Sequence, residues 1–178
     1  MAKKSFPLSR VYGLLEPGPV VLITTGYRGR TDIMAQSWHT MLEFEPPLVG
    51  CVISNRNYSF GLLKAGRECV INIPTAKLAK QVVACGNTTG ARVDKFVAFG
   101  LTSAPARHVC APLIAECYAN LECRVVDTRG VAKYGFFVLE VVQAWVDSAV
   151  KNPQTLHHLG KGQFMVAGRR IRLPSRMK

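Results

Sequence analysis

The sequence lacks the short motifs that mark the commonest catalytic sites. It has no G-x-S-x-G, no H-E-x-x-H, no Walker-type phosphate loop and no G-x-G-x-x-G. Acidic residues are scarce, since 11 Asp and Glu stand against 23 Lys and Arg, and nothing suggests a carboxylate pair for acid–base hydrolysis. A chain without its own nucleophile or acid–base pair either binds a ligand or uses the chemistry of a cofactor.

Metal, disulfide and membrane signals are also missing. The six cysteines include no C-x-x-C pair and stand mostly in apolar runs, which favours buried free thiols in a reducing compartment over zinc or disulfides. No apolar run approaches the roughly 20 residues of a membrane helix. The first ten residues lack the apolar core of a secretory signal. We therefore expect a cytoplasmic protein, and 178 residues are most simply one domain.

The formal net charge of +12 is concentrated in a basic C-terminal segment, residues 151–178. This segment has no acidic residue and seven basic ones: Lys151, Lys161, Arg169, Arg170, Arg172, Arg176 and Lys178. Such a surplus attracts the phosphates of nucleic acids and of nucleotide cofactors alike. Phe164 is the only aromatic residue among these basic residues, and this scarcity of aromatic residues disfavours nucleic-acid binding. The segment is either solvated or folded over a partner subunit or an anionic cofactor.

Hydrophobic patterns predict a mainly β domain with a few short helices. Strands are predicted at residues 20–25, 31–38, 48–53, 69–73, 113–125 and 134–146, the first two joined by a turn at 26–30. Helices are predicted at residues 58–65, ended by Gly66, and at 76–85, capped by Thr75. This pattern favours a closed or nearly closed β-barrel with helical decorations.

Two of these strands carry further predictions. Residues 113–125 alternate between apolar and polar positions, which predicts one buried and one exposed face. Residues 134–146 are apolar on both faces, as expected for a strand that also packs against a partner subunit.

An anion site is predicted at residues 54–59, S-N-R-N-Y-S, which leave a buried strand and open a helix. Free N–H groups at the helix start, with the Ser59 hydroxyl and Arg56, would form a phosphate cradle. An ordinary helix cap by Asn57 is the alternative. A second candidate, residues 90–96, is either an anion site or a solvated loop with a local ion pair. The pair His157-His158 is predicted to be solvated in a loop rather than to bind a metal.

The order of these segments resembles a known family. V-V-L-I-T-T is followed by D-I-M-A-Q-S-W-H-T, F-E-P-P-L-V-G-C-V-I-S, N-R-N-Y-S-F, E-C-V-I-N-I-P and V-D-K-F. Over about residues 10–150 the chain resembles the flavin reductase-like FMN-binding split-barrel family, and within it the flavoredoxin-type NAD(P)H:flavin oxidoreductases. The resemblance implies a homodimeric split β-barrel with FMN at the dimer interface.

The resemblance also implies roles for individual residues. Residues 32–38 would line the isoalloxazine ring, residues 54–59 would hold the ribityl and phosphate groups, and Phe164 would cover the ring. The implied cofactor-binding set is Asp32, Met34, Ala35, Gln36, Ser37, Trp38, Ser54, Asn55, Arg56, Tyr58, Ser59, Lys95 and Phe164. Tyr134 stands near the nicotinamide side, where the family commonly has histidine, and Asp32 stands where asparagine is commoner. Because of such departures, we assign no catalytic residue.

A bound flavin would explain the missing catalytic dyad, because FMN itself supplies the redox chemistry. We predict an FMN-binding oxidoreductase that passes electrons from NADH or NADPH to flavin or to a downstream acceptor. A redox partner protein is one such acceptor. The alternatives are a non-enzymatic FMN electron carrier and, less favoured, a basic nucleic-acid-binding β-barrel.

Overall fold

The computed structural model describes residues 3–175. Arg176 and Lys178 of the basic C-terminal segment, and the first two residues, lie outside the described residues. The strands are β1 (Lys4–Ser5), β2 (Val21–Tyr27), β3 (Arg30–Gln36), β4 (His39–Glu43), β5 (Leu48–Val52), β6 (Glu68–Ile73), β7 (Ser103–Ala104), β8 (Leu113–Ile114), β9 (Ala119–Asp127), β10 (Phe136–Val146), β11 (Leu156–Gly160) and β12 (Gln163–Val166). The α-helices are α1 (Tyr12–Leu15), α2 (Tyr58–Gly66), α3 (Ala79–Asn87), α4 (Lys95–Ala98) and α5 (Val131–Tyr134), with 3-10 turns at Leu8–Arg10 and Ala76–Leu78.

One eight-stranded antiparallel sheet dominates the fold. Its order is β3-β2-β6-β9-β10-β5-β4, with β1 also paired to β10. Ile23 on β2 and Cys51 on β5, which stand far apart in this order, belong to the same hydrophobic core. The sheet is therefore curled around its core. Gln36 on the edge strand β3 connects opposite sides of the curled sheet, because its Nε2 donates at 3.0 Å to the carbonyl of Val52 on β5, which lies next to the other edge strand.

The predicted hairpin of the first two strands is confirmed, but its turn is shorter than expected. Arg28 and Gly29 have φ values of 49° and 76°, which is the left-handed pair of a two-residue hairpin turn. The strands consequently continue to Tyr27 and restart at Arg30.

Helix α2 forms where predicted and ends one residue later. Gly66 serves a different purpose from the predicted one, because a Cβ there would lie 2.6 Å from the carbonyl oxygen of Gly26 on β2. The glycine thus allows the helix to pack closely on the strand. The left-handed residue that ends the helix is Arg67, with φ 58°.

The helix predicted at 76–85 is displaced. A 3-10 turn comes first, the α-helix runs from Ala79 to Asn87, and the Thr75 side chain makes no capping hydrogen bond. The buried face is as predicted, since Leu78, Val82 and Cys85 all lie in the core.

The prediction of a single strand at residues 113–125 with one exposed face is wrong in two ways. It is divided into β8 and β9, and polar residues on its expected outer face are buried. Glu122 is fully buried and accepts hydrogen bonds from the backbone N–H groups of Arg107 and His108 and from Trp145 Nε1, at 2.6–3.1 Å. Because these donors satisfy the carboxylate, the segment that contains Arg107 and His108 can cover this face of the sheet.

Strand β10 begins at Phe136, after the short helix α5, rather than at residue 134. Phe137, Leu139 and Val141 are fully buried, whereas the residues between them are half-buried. Within residues 3–175, no helix is both long and apolar enough to cross a membrane.

Candidate functional site

A large open cavity of about 1180 Å³ lies where one end of β3 meets α2, α3, α5 and the β11–β12 hairpin. Its floor includes Met34, Ala35 and Gln36 from β3, and Val52 from β5. The described residues that line it include three permanent cations, Lys64, Arg67 and Lys133, and no carboxylate. The cavity therefore favours an anionic ligand.

The cavity brings together most of the residues implied by the resemblance. Those that line it are Met34, Ala35, Gln36, Ser37, Trp38, Ser54, Asn55, Tyr134 and Phe164. Trp38 and Tyr134 are 73% and 63% exposed, so both rings are accessible to a ligand or to another chain. Phe164 instead packs partly against the core.

Five residues of the implied set do not line the cavity: Asp32, Arg56, Tyr58, Ser59 and Lys95. Arg56 is exposed. Asp32, Ser59 and Lys95 are buried and form one polar cluster behind the cavity wall.

This cluster is centred on an ion pair in which Lys95 Nζ lies 3.0 Å from Asp32 Oδ1. The ammonium also donates to the carbonyl oxygens of Cys85, at 3.2 Å, and Ile33. Ser59 Oγ donates to Asp32 Oδ2 at 2.6 Å. The cluster therefore connects β3, the first turn of α2, the end of α3 and the start of α4. Of these elements, β3, α2 and α3 contribute residues to the cavity wall.

The loop before α4 lacks the local ion pair that one of its two sequence interpretations predicted. Asp94 does not pair with its neighbour Lys95; its carboxylate caps α4 by accepting the N–H groups of Phe96 and Val97 at 2.9 and 3.2 Å. Gly90 in the same loop lies against Asp32, since a Cβ at position 90 would stand 2.1 Å from Asp32 Oδ1. The loop thus covers the buried carboxylate.

Gln36 presents a buried acceptor that has no protein donor. Its Nε2 donates to the carbonyls of Trp38 and Val52 at 2.9 and 3.0 Å, which fixes the orientation of the amide. The opposite atom, Oε1, is buried without a partner among the described residues. Unsatisfied buried acceptors are uncommon in native proteins, and this residue lines the cavity. A ligand with an N–H donor would satisfy it.

The N-terminus of α2 is open to an anion. Asn57, at the cap position, makes no side-chain cap hydrogen bond, so the alternative of an ordinary Asn57 cap is wrong. The first N–H groups of a helix have no acceptor within the helix and carry partial positive charge. Ser54, Asn55 and Asn57 line the cavity at this end.

The sequence interpretation missed several lining residues, notably Phe60, Lys64, Arg67 and Lys133. The first three follow Asn57 at intervals of three and four residues, which places them on one face of α2. This spacing is the sequence pattern by which these three residues could have been predicted to line the cavity. No sequence pattern marks Lys133, because it reaches the cavity from the short helix α5.

The two histidines predicted in a loop lie in a strand instead, in β11. His158 pairs across the hairpin with Phe164, at 5.2 Å between ring centroids, and lines the cavity. The hairpin forms because Gly160 and Gly162 adopt positive φ at its turn. Within residues 3–175, no three His, Cys, Asp or Glu side chains are grouped so as to hold a metal.

Comparison with known proteins defines the class. Residues 14–165 match the sequence profile of the flavin reductase like domain. The chain is 33% identical over 172 residues to the uncharacterized protein YddH of Escherichia coli K12, covering 89% of this chain and 91% of the relative. It therefore belongs to the flavin reductase-like family.

Solved structures agree with this assignment. An FMN-binding domain of a flavin reductases-like enzyme from Shewanella baltica OS155 has a TM-score of 0.92 and 25% identity, and covers 97% of this chain and 98% of its own. Flavoredoxin of Desulfovibrio vulgaris (Miyazaki F) has the same fold, with a TM-score of 0.80 and 22% identity over 88% of this chain and 90% of its own. The prediction of a mainly β FMN-binding split barrel with a few short helices is confirmed.

Proposed function

We propose that the cavity binds FMN and that the protein passes electrons from NADH or NADPH through it to free flavin or to a downstream acceptor. The observation that carries this proposal is the lining of the cavity, which combines three cations, an uncapped helix start and a buried unpaired acceptor with no carboxylate. The family relationship supports the same ligand.

The residues present fit FMN at both of its ends. Ser54, Asn55 and Asn57, which line the cavity at the start of α2, would hold the phosphate at the positive end of that helix. Gln36 Oε1 would accept the imide N–H of the isoalloxazine ring. Backbone groups of residues 34–38, with the rings of Trp38 and Phe164, would hold the flat ring system.

The buried cluster of Asp32, Ser59 and Lys95 does not line the cavity and would support the site indirectly. It holds the first turn of α2 in place for the phosphate, while Arg56 is exposed in the loop before that helix. When bound, FMN would accept a hydride equivalent from the nicotinamide and release the electrons to the acceptor.

A reductase and an electron carrier differ in donor oxidation. A reductase should oxidise NADH or NADPH when free flavin is added, whereas a carrier should not.

We also propose that the protein is a homodimer whose interface includes one face of β10. The large rings of Trp38 and Tyr134 are exposed beside the cavity, and alternate residues of β10 are only half-buried. Pairing with a second chain would cover such apolar surface. Sedimentation should then give twice the chain mass of 19.5 kDa, and a monomer with FMN bound would contradict the dimer.

Flavin binding tests the proposal directly. The purified protein should bind FMN and take on its absorbance near about 450 nm. FMN should bind more tightly than riboflavin, by about tenfold or more, because only FMN offers a dianionic phosphate to the start of α2. Equal affinities for the two flavins would show that the start of α2 does not hold the phosphate.

A further inference from the structure

A smaller cavity lies apart from the large one. It encloses about 390 Å³ between the residue that precedes β1, the loop that joins β7 to β8, and the end of β10. None of the described residues that line it also lines the large cavity. Its volume is at the lower end of the range of about 300–1,000 Å³ that is usual for small-molecule sites. We call it the Trp145 pocket, and its lining includes Lys3, Ala104, Pro105, Arg107, Leu113 and Trp145.

One buried carboxylate fixes two walls of the Trp145 pocket. Glu122 Oε1 accepts a hydrogen bond from Trp145 Nε1 at 2.7 Å, and the Glu122 oxygens accept the backbone N–H of Arg107 at 3.0 and 3.1 Å. Ala104 and Leu113 pack in the same apolar cluster as the indole ring. The ring and the loop are therefore held in position without a ligand, and a preformed site loses less conformational entropy on binding.

Two cations from distant parts of the chain line the Trp145 pocket, and none of its described lining residues is acidic. Lys3 is half-buried and Arg107 is exposed. Within residues 3–175, neither side chain forms an ion pair. Lys3 Nζ donates to the carbonyl oxygen of Ile114 at 3.3 Å and to Asn120 Oδ1, which leaves one of its three N–H donors for a ligand.

The Lys3 ammonium is only partly compensated by its surroundings. Burial lowers its pKa, and this effect outweighs the opposing electrostatic effect of Cys117, Asp147 and Glu116. A cation that is partly removed from water is stabilised by an adjacent anion. An anionic ligand in the Trp145 pocket would supply that anion.

The remaining lining of the Trp145 pocket is apolar. Pro105, Leu113 and the indole ring of Trp145 form its walls, and an indole face packs well against a flat apolar group. A carboxylate matches the planar fork of the Arg107 guanidinium and can also accept from an ammonium. The pocket therefore combines two donors for one acid group with a surface for one flat ring system.

We propose that the Trp145 pocket binds a small carboxylic acid with a flat apolar body. The carboxylate contacts Lys3 and Arg107, and the body lies against Trp145. This site is separate from the proposed flavin site, and it does not depend on that proposal.

Titration with 1-naphthoate, followed by NMR of nitrogen-15-labelled protein, tests the Trp145 pocket. The chain has two tryptophans, Trp38 and Trp145, and the variant Trp145→Phe identifies their indole N–H signals. The Trp145 signal should move with a saturable dependence and a Kd of about 1 mM or tighter. The neutral isostere 1-naphthamide should bind about tenfold more weakly or worse, because it lacks the charge. Added FMN should change neither affinity, since the two cavities share no described lining residue.

Variants of the two cations separate their contributions. Arg107→Gln should weaken 1-naphthoate binding by about two- to fivefold, as an exposed charge does, and Lys3→Met by about tenfold because this ammonium is half-buried. The double variant should bind the acid and the amide alike. Lys4→Met is the matched control, since Lys4 is the exposed neighbour of Lys3 and does not line the pocket; it should leave binding unchanged. Thermal unfolding checks that each variant is folded.

Three outcomes would overturn the inference. The first is a Trp145 signal that 1-naphthoate does not move at up to about 10 mM. The second is equal affinity of the wild-type protein for the acid and the amide. The third is unchanged acid affinity in the folded variant Arg107→Gln together with either unchanged affinity in folded Lys3→Met or competition by FMN, which would place the acid in the large cavity.

Discussion

Lys95 Nζ lies 3.0 Å from Asp32 Oδ1, and both residues are 4% exposed. This ion pair joins elements far apart in the sequence, because Asp32 belongs to β3 and Lys95 begins α4. Ser59 extends the contact to α2. The pair therefore holds the framework around the cavity without facing it.

Removal of one partner of this pair should be costly. We expect Lys95→Met to lower the free energy of unfolding by about 3–5 kcal/mol, because it leaves the Asp32 carboxylate buried without its cation. The double variant Asp32→Asn/Lys95→Met should be more stable than Lys95→Met alone. Urea denaturation of the three proteins measures this. A Lys95→Met change below about 0.5 kcal/mol would show that the pair is not buried as described.

Gly90 and Gly61 should respond in opposite directions to alanine. A Cβ at Gly90 would stand 2.1 Å from Asp32 Oδ1, so Gly90→Ala should displace the loop and cost about 1–3 kcal/mol by overpacking. Gly61 lies within α2 with nothing within 4 Å of a new Cβ, so Gly61→Ala should stabilise by about 0.5–1 kcal/mol. Equal shifts in melting temperature for both variants would contradict the close contact at Gly90.

Gln36 should be needed for the flavin ring rather than for the phosphate. We expect Gln36→Leu to weaken FMN and riboflavin binding equally, by about tenfold, because the buried acceptor Oε1 is lost. Gln143→Leu is the control, since Gln143 contacts Ser5 and the backbone of Ala144 away from the cavity. Flavin fluorescence titration gives the affinities. A variant that keeps wild-type affinity would show that Oε1 does not meet the ring.

His39 should make stability fall in mild acid. Burial lowers the pKa of its imidazole from the ordinary value of 6.5, and the contact of Nε2 with the carbonyl oxygen of Pro19 at 2.7 Å only partly offsets this. As pH falls below that value, the unfolded chain binds the proton before the folded protein does. The free energy of unfolding should therefore fall, by no more than about 1.4 kcal/mol per pH unit for one proton.

The variant His39→Gln isolates this contribution, because a glutamine amide keeps a donor for Pro19 but does not titrate in this range. Denaturation at pH 7.5, 6.5, 5.5 and 4.5 should show a steeper acid loss for wild type than for the variant. Parallel curves would mean that His39 titrates alike in the folded and unfolded chains.

The hydrophobic pattern predicted six of the eight strands of the main sheet, but it missed β1 and β4 and also the β11–β12 hairpin. It placed β5 and α2 within a residue of their observed ends, because a buried strand and an amphipathic helix are local signals. The hydrophobic pattern failed at β9, because it predicted that the polar residues of this strand are exposed. Asn120 and Glu122 are buried because partners up to 117 positions away satisfy them, and such partners cannot be read from a local window.

The same limit applies to the candidate site. Lys95 and Ser59 were identified from motifs, but their partner Asp32 is separated from them by 63 and 27 positions in the chain. Only the folded chain shows that the ammonium and the hydroxyl face this carboxylate rather than the cavity. Lys133 was missed because it reaches the cavity from a four-residue helix with no motif of its own.

Anaerobic titration of the FMN-loaded protein with NADH or NADPH tests the central claim most directly. We predict that FMN binds to the purified protein and that its absorbance near about 450 nm bleaches as the donor is added, with added free flavin then sustaining donor oxidation. A protein that binds no FMN at micromolar concentration, or whose bound FMN is bleached by neither donor, would contradict the proposal that this family member is a nicotinamide-dependent flavin oxidoreductase.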